Sequence, residues 1–353
     1  MNPLHMDAPW HKASYDRFLS EKLPELLASR MPLAGYTLRE DGDHACAITI
    51  AVELAAAGGK TAVAHEFTGI PVPDQDGVFA INGARVGVVP VATSEDLAAG
   101  EIRCVGEQLY DFVAARLSTV PSEVQWDESV ARPWGALDAW LPLDGWISEF
   151  LRVGETLEAP LSTTAQRLDE TNWLSKRCHV RRILVPQRER AIHPSEQGRA
   201  CPYETPEGPN IGRVLSVAAG AEIRDGRLCI VDEAHEALPE AALGVTALMV
   251  PFLEHNDANR LLFGVNMMRQ WQVPLEPEPA LVQTGHEVDA PGFWCGVNLL
   301  TAFTSMGGDT YEDAIVLSES AAKRFRFEHP VEPGDKLSNR HGTKGVVSRV
   351  VPD

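Results

Sequence analysis

Four short segments of this 353-residue chain gather charged and conformationally constrained residues in patterns that could do chemistry. In Pro333-Gly-Asp-Lys336-Leu-Ser-Asn-Arg340-His341-Gly-Thr-Lys344-Gly345, two lysines and an arginine sit among three glycines. Glycines let backbone come close to a ligand, and ammonium groups beside them suit phosphate oxygens. The spacing is not the G-x-x-x-x-G-K-[ST] of a P-loop. Upstream, Gly307-Gly-Asp-Thr-Tyr-Glu312-Asp313-Ala-Ile-Val-Leu-Ser-Glu319 sets adjacent carboxylates before an apolar strand. Such a pair can be a solvated turn, a metal ligand or an orienter of a cation.

The other two segments are stiffer. Arg199-Ala-Cys-Pro-Tyr-Glu204-Thr-Pro-Glu207-Gly-Pro-Asn210-Ile-Gly212 has three prolines and two glycines within eleven residues. That density fixes a rigid loop from which Glu204, Glu207 and Asn210 project polar groups. Pro251-Phe-Leu-Glu-His-Asn-Asp257-Ala-Asn-Arg260 leads into a helical pattern over 257–270, which Asp257 can cap.

The elements that must position these segments read as mixed α+β. Residues 14–30 show helical spacing, with Phe18, Leu19, Leu23, Leu26 and Leu27 on one face despite Pro24. Strands are expected over 45–55 and 62–68, and 71–91 carries Asp-Gly and Asn-Gly turns of a hairpin. Residues 103–118 return to helical spacing. A Pro-, Trp- and acid-rich connector follows over 119–145, with a short helix near 144–152 and Arg-rich loops to about 210. Strands are expected around Asp225-Gly226, and short strands with glycine turns over 295–353. No internal repeat is present.

Composition limits the function. The net charge of −19 argues against a protein that coats naked nucleic acid, since phosphate binding is driven by Lys and Arg. Between Lys176 and Arg213, however, eight Lys or Arg outnumber four acids, so a locally basic channel on an acidic body is expected. The six cysteines form no C-x-x-C pair and read as buried free thiols, with no zinc pattern. No apolar run is long enough to span a membrane, and the polar start lacks a signal core, so a cytoplasmic protein without membrane partners is expected.

Taken in order, the segments resemble the β subunit of bacterial DNA-directed RNA polymerase. The family's E-T-P-E-G-P-N-I-G is unbroken at Glu204–Gly212. P-F-L-E-H-x-D-A-N-R stands at Pro251–Arg260, G-D-K-x-x-x-R-H-G-x-K-G at Gly334–Gly345, and Y-E-D-A-I at Tyr311–Ile315. Gly77-Val-Phe-Ala-Ile-Asn-Gly83 resembles the family's G-x-F-I-I-N-G hairpin, and Gln166–Arg182 its rifamycin-pocket segment. The resemblance implies nucleotidyl transfer in which Lys336 and Lys344 reach phosphates and the RNA 3′ end, and Arg199 contacts the incoming triphosphate. It places Glu312 and Asp313 beside the second, nucleotide-carried Mg2+. Arg181, Arg182, Glu204, Glu207, Asn210, Arg340 and His341 are expected nucleic-acid or nucleotide contacts.

Three units are implied: a protrusion-like domain over 1–160, a fork and rifamycin-pocket-like region over 161–213, and a region over 214–353 containing a double-psi β-barrel. The sequence also departs from the family. It is far shorter, stops at Asp353 before the family's C-terminal region, and has no counterpart of the β′ motif D-F-D-G-D. Asp74-Gln-Asp-Gly77 precedes the hairpin and reads as its turn. Without three clustered carboxylates the chain alone cannot set up a two-metal reaction. A β′-like partner bearing D-x-D-G-D and a chain supplying the C-terminal part are therefore expected, with DNA template, RNA product and nucleoside triphosphates. The alternative is a non-catalytic β-like protein that binds polymerase as regulator or decoy. Trp173 and Leu184 stand where the family has Pro and Ser, which implies weak rifamycin binding.

Overall fold

The computed structural model describes residues 4, 6–56, 59–119, 141–153, 164–186, 188, 191–327 and 329–353. Most of the 119–145 connector, and Arg190 in the basic stretch, lie outside them. The first helix, α1 (Trp10–Arg17), runs through a wide π-turn (Phe18–Lys22) into α2 (Leu23–Ala28). Leu23 N–H bonds the carbonyl of Phe18, five residues back. The wide turn stands just before Pro24, whose ring cannot sit against the Ser20 carbonyl in a regular α-turn.

The apolar face of this helix packs on an antiparallel sheet of β1 (Leu33–Glu40), β2 (Ala45–Ala56) and β3 (Gly59–Pro71), in that order. Ile48, Ile50, Val52 and Leu54 of β2 are all buried, at the two-residue period of a strand with one inward face. The hairpin β4 (Val78–Ile81) and β5 (Ala84–Val88) turns at Asn82-Gly83, both with positive φ (49° and 77°), as a type I′ turn requires. Short strands β6 (Val91–Ala92) and β7 (Ile102–Arg103) lead to α3 (Val105–Ser118). Gly106 lets α3 meet α1: a Cβ there would lie 2.1 Å from the Ser14 carbonyl oxygen. Helix α4 (Leu143–Phe150) completes this first core, as the short helix expected near 144–152.

Strand β8 (Ala165–Arg167) adds to β5, and α5 (Trp173–Val180) follows. The Arg-rich loops expected here are corrected at this point, because Asn172 caps a helix. Its Oδ1 accepts the Ser175 N–H at 2.9 Å, and Ser175 Oγ accepts the Asn172 N–H at 3.0 Å. Strands β9 (Arg182–Leu184) and β10 (Val214–Ser216) join β6 and β7 in the order β10-β9-β6-β7. The hairpin β11 (Ala221–Arg224) and β12 (Arg227–Ile230) turns at Asp225-Gly226, as the sequence indicated. A one-turn α6 (Glu233–Glu236) precedes α7 (Ala258–Met268).

At the end of the chain, β13 (Ala314–Ser318), α8 (Glu319–Arg324), β14 (Lys336–Ser338) and β15 (Lys344–Val351) form a three-stranded sheet in the order β13-β15-β14. The strands expected from residue 295 start only at 314. Residues 271–313 hold no helix or strand, and Leu300 and Phe303 stand fully in solvent. Their apolar run has strand-like composition but finds no strand to pair with among the described residues. Cys46, Cys104, Cys178 and Cys201 are buried free thiols. No helix among the described residues is long and apolar enough to cross a membrane.

Candidate functional site

Helix α7 brings three of the four segments together. At its start, Asp257 takes the N-cap position with extended backbone, but its carboxylate makes no capping hydrogen bond. Along the helix, Asn266 Nδ2 donates to the Thr205 carbonyl at 3.0 Å, tying on the proline-rich loop. Facing the other way, Gly264 meets the glycine–lysine segment: a Cβ there would lie 2.9 Å from the Arg340 carbonyl oxygen. Gly342 answers it, since its own Cβ would strike the Arg260 carbonyl oxygen at 2.1 Å. Two glycines in register thus let helix and loop touch backbone to backbone.

That close contact fixes the loop between β14 and β15. Lys336 pairs with Val346 and Ser338 with Lys344 in the antiparallel register. Opposed residues share a face, so both lysines lie on one side of the ribbon as diagonal neighbours, with about 7–8 Å between such positions. Both are exposed, and neither makes an ion pair among the described residues. Lys344 Nζ stands 5.4 Å over the ring of Phe263 from α7. A cleft of about 860 Å³ opens beside Lys336, lined among others by Trp271, Phe293, Trp294, Phe325 and Arg340.

The acidic segment abuts the same ribbon. Asp313 accepts the Val346 N–H at 3.1 Å through its carbonyl, and a Cβ on Gly345 would lie 2.2 Å from that oxygen. Glu312 and Asp313 are consecutive left-handed residues, φ 49° and 64°, with exposed side chains. Non-glycine residues in that region cost energy, and two in a row put both carboxylates outward just before the start of β13. Among the described residues no group of three or more His, Cys, Asp or Glu could hold a metal ion. The Asp74–Gly77 segment is a turn, as expected: Asp74 Oδ1 accepts the N–H groups of Asp76 and Val78, and Oδ2 pairs with Arg85 at 2.8 Å.

The remaining predicted contacts divide into exposed and inward groups. Glu207 is exposed and Asn210 half-buried on the turn Gly208–Asn210. Arg182 is half-buried on β9, its Nη1 donating to Gln166 Oε1 at 3.2 Å. Burial and the nearby Arg269 push its guanidinium down to about 10, so it stays protonated at neutral pH. Arg199 is half-buried and donates to the carbonyls of Leu228 and Ser195. These bonds lead toward β12 rather than to the lysine ribbon.

Arg181 and Glu204 face inward, which corrects their expected place at a nucleic-acid surface. Arg181 is fully buried and donates to the carbonyls of Asp7, Val217, Ala218 and Ala221. Burial lowers its pKa to about 10. Glu204 is 2% exposed and accepts the N–H groups of Thr246 at 2.6 Å and Ala247 at 3.0 Å. Arg340 ties the Met249 and Val282 carbonyls together, with Glu287 3.8 Å away, and burial pushes its pKa down. His341 Nδ1 meets Asn256 Oδ1 at 2.9 Å, and burial with Arg340 beside it lowers its pKa. The sequence reading missed Arg260 on the first turn of α7, exposed and without an ion pair among the described residues. Its signal was the last position of the Pro251–Arg260 motif, to which no ligand contact had been assigned.

Leu184 is buried in β9, and Trp173 packs edge-on against Phe293 at the start of α5. Both apolar side chains are therefore built into the packing.

Residues 166–223 match the family model of RNA polymerase Rpb2, domain 3. The "DNA-directed RNA polymerase subunit beta" of Synechocystis sp. is 29% identical over 343 residues, which cover 74% of this chain and 30% of that protein. The chain thus spans about a third of the length of the curated relative it matches. In sequence the chain is thus similar to the β subunit of bacterial RNA polymerase, as its motifs implied.

Proposed function

We propose that the chain works as a β-like subunit of a DNA-directed RNA polymerase, in a complex with a β′-type partner. The observation that carries this reading is the lysine ribbon: two exposed, unneutralised ammonium groups on one face, set beside an exposed Glu-Asp turn. In this reading an RNA 3′-hydroxyl, giving up its proton to solvent, attacks the α-phosphate of a nucleoside triphosphate, the bond from the α-phosphorus to the bridging oxygen breaks, and pyrophosphate leaves. Lys336 and Lys344 stabilise the charge that develops on the phosphates. Arg199 contacts the triphosphate through Nη2, which makes no hydrogen bond within the described residues. Arg182, Glu207, Asn210 and His341 border nucleic acid, while Arg181, Glu204 and Arg340 position the loops that carry them.

Mg2+ supplies the Lewis acidity of the reaction. Here it would be held mainly by a partner bearing D-x-D-G-D, with Glu312 and Asp313 beside the nucleotide-carried ion. In this reading the three-stranded sheet is part of a double-psi β-barrel. The units 1–160, 161–213 and 214–353 serve as protrusion, fork and barrel regions, and the complex acts on DNA in the cytoplasm, at the nucleoid. The test is affinity purification of the chain from its native cell, followed by Mg2+-dependent RNA extension on a primed template. A D-x-D-G-D partner with extension supports the reading. Capture of an intact host polymerase without activity of its own supports the second reading, a regulator or decoy, which the net charge of −19 favours.

A further inference from the structure

We propose that Phe263 is a positioning residue for Lys344, with Trp271 fixing the strand opposite. The two lysines of the ribbon differ in surroundings. Lys336 makes no side-chain bond among the described residues, whereas the Lys344 ammonium lies over the Phe263 ring at 5.4 Å. A free lysine samples many rotamers, and holding it in one costs entropy. A carboxylate would hold it too, but would neutralise the charge and occupy its N–H donors. An aromatic face attracts the cation through its quadrupole and leaves those donors to an incoming anion.

The helix that carries Phe263 is itself fixed against the ribbon by the Gly264 and Gly342 contacts, so the ring cannot drift from the lysine. On the other strand, Ser338 opposes Lys344 in register, and Trp271 Nε1 donates to Ser338 Oγ at 2.7 Å. Trp271 is anchored in turn, because buried Asn172 Nδ2 donates to its carbonyl at 2.8 Å and to that of Met268 at 2.9 Å. One helix and Trp271, in the turn that follows it, therefore brace both strands of the ribbon. Lys344 is held in place beforehand, and Lys336 stays free to follow its ligand. The functional consequence rests on the polymerase reading; the placement of the ammonium does not.

The test uses the full chain with its seven lysines dimethylated by 13C-formaldehyde, which keeps the charge, and with Lys344 assigned by Lys344→Arg. A ring-current upfield shift of the Lys344 methyl signal is expected. It should collapse toward the exposed lysines in Phe263→Leu and persist in Phe263→Tyr. Phe263→Met is the second variant should Leu not fold, and Trp271→Phe should reduce the shift partially. In an assembled, active complex, Phe263→Leu should lower kcat about 2- to 5-fold with KM unchanged, and Tyr should restore it. An unshifted Lys344 signal in the wild type, or one unmoved by removing the ring, overturns the proposal. A shifted signal in a complex that extends no RNA leaves the placement standing and removes the polymerase reading instead.

Discussion

The lysine ribbon and the neighbourhood of α5 are both crowded with cations, yet they use them in opposite ways. Around α5, Arg181 spends its hydrogen bonds on four backbone carbonyls, Arg188 pairs with Glu196 at 2.6 Å in the interior, and Arg177 bridges Asp7 and Asp76. On the ribbon, Lys336 and Lys344 have no carboxylate partner among the described residues and face solvent. Buried charge must be satisfied within the protein or it destabilises the fold. Exposed charge without a partner costs the fold little and is free for a ligand. The comparison teaches that hydrogen-bond satisfaction, rather than density of basic residues, separates internal ties from groups that can act outward.

The largest effect is expected from the ribbon. Lys336→Ala with Lys344→Ala should abolish RNA extension by the assembled complex. At about 10²–10³ for each charge-stabilising donor removed, the joint loss is on the order of 10⁴-fold or more. Stability should change by less than about 0.5 kcal/mol, because both side chains are exposed. Extension assays paired with urea unfolding check both halves. Extension that persists in the double variant removes the ribbon from the active site.

The inverse pattern is expected at Arg181. Arg181→Met keeps much of the volume but removes its donors from the Asp7, Val217, Ala218 and Ala221 carbonyls, of which Asp7 is exposed and Ala218 keeps the Ala221 N–H, at a cost of about 2–4 kcal/mol. Urea unfolding should show a lowered midpoint, and activity per folded molecule should hold. A variant as stable as the parent would contradict the internal role, and with it the contrast between the two regions.

These two regions also show how far the sequence was legible. Periodicity placed the first helix, the long strands and both type I′ hairpins, because a single amphipathic face or an Asn-Gly or Asp-Gly turn decides them locally. It missed α5, where eight residues interrupted by Lys176 and Arg177 show no clear apolar stripe and Asn172 alone sets the start. Motifs located the ribbon, the Glu-Asp turn and the proline-rich loop. They could not tell that Glu204 turns inward to cap the turn at Thr246, since that depends on Gly244 leaving room for its carboxylate. Nor could they bring residues 251–268 against 340–345, which rests on two glycines far apart in the chain.

A pH dependence should distinguish the regions next. His11 is buried, with Nε2 donating to the Val180 carbonyl at 2.7 Å, and burial pushes its pKa down to about 4. Unfolding returns it to about 6.5, so the unfolded state takes up the proton first as pH falls. Stability is therefore full above about pH 6.5 and declines between 6.5 and 4, by about 2 kcal/mol at pH 5 for this group alone. His179 is shifted in the same direction by burial and by Arg182. Urea midpoints at pH 7 and pH 5 should drop less in His11→Gln than in the parent; an equal drop would show that His11 is not the proton acceptor.

The smallest expected effect probes the turn beside the ribbon. Asp313 holds φ 64° and fixes β15 only through its carbonyl, which accepts the Val346 N–H. Asp313→Gly keeps that carbonyl and relieves the left-handed strain, while adding freedom to the unfolded chain. The two terms nearly cancel, so stability should be unchanged or higher by up to about 1 kcal/mol. RNA extension by the complex should nevertheless fall if the side chain serves the reaction. A stable variant with reduced extension, and a raised Mg2+ requirement, would assign the carboxylate to chemistry. A stable variant with full extension would leave Asp313 as a turn that props the lysine strand, and the strain would then belong to the fold rather than to the site.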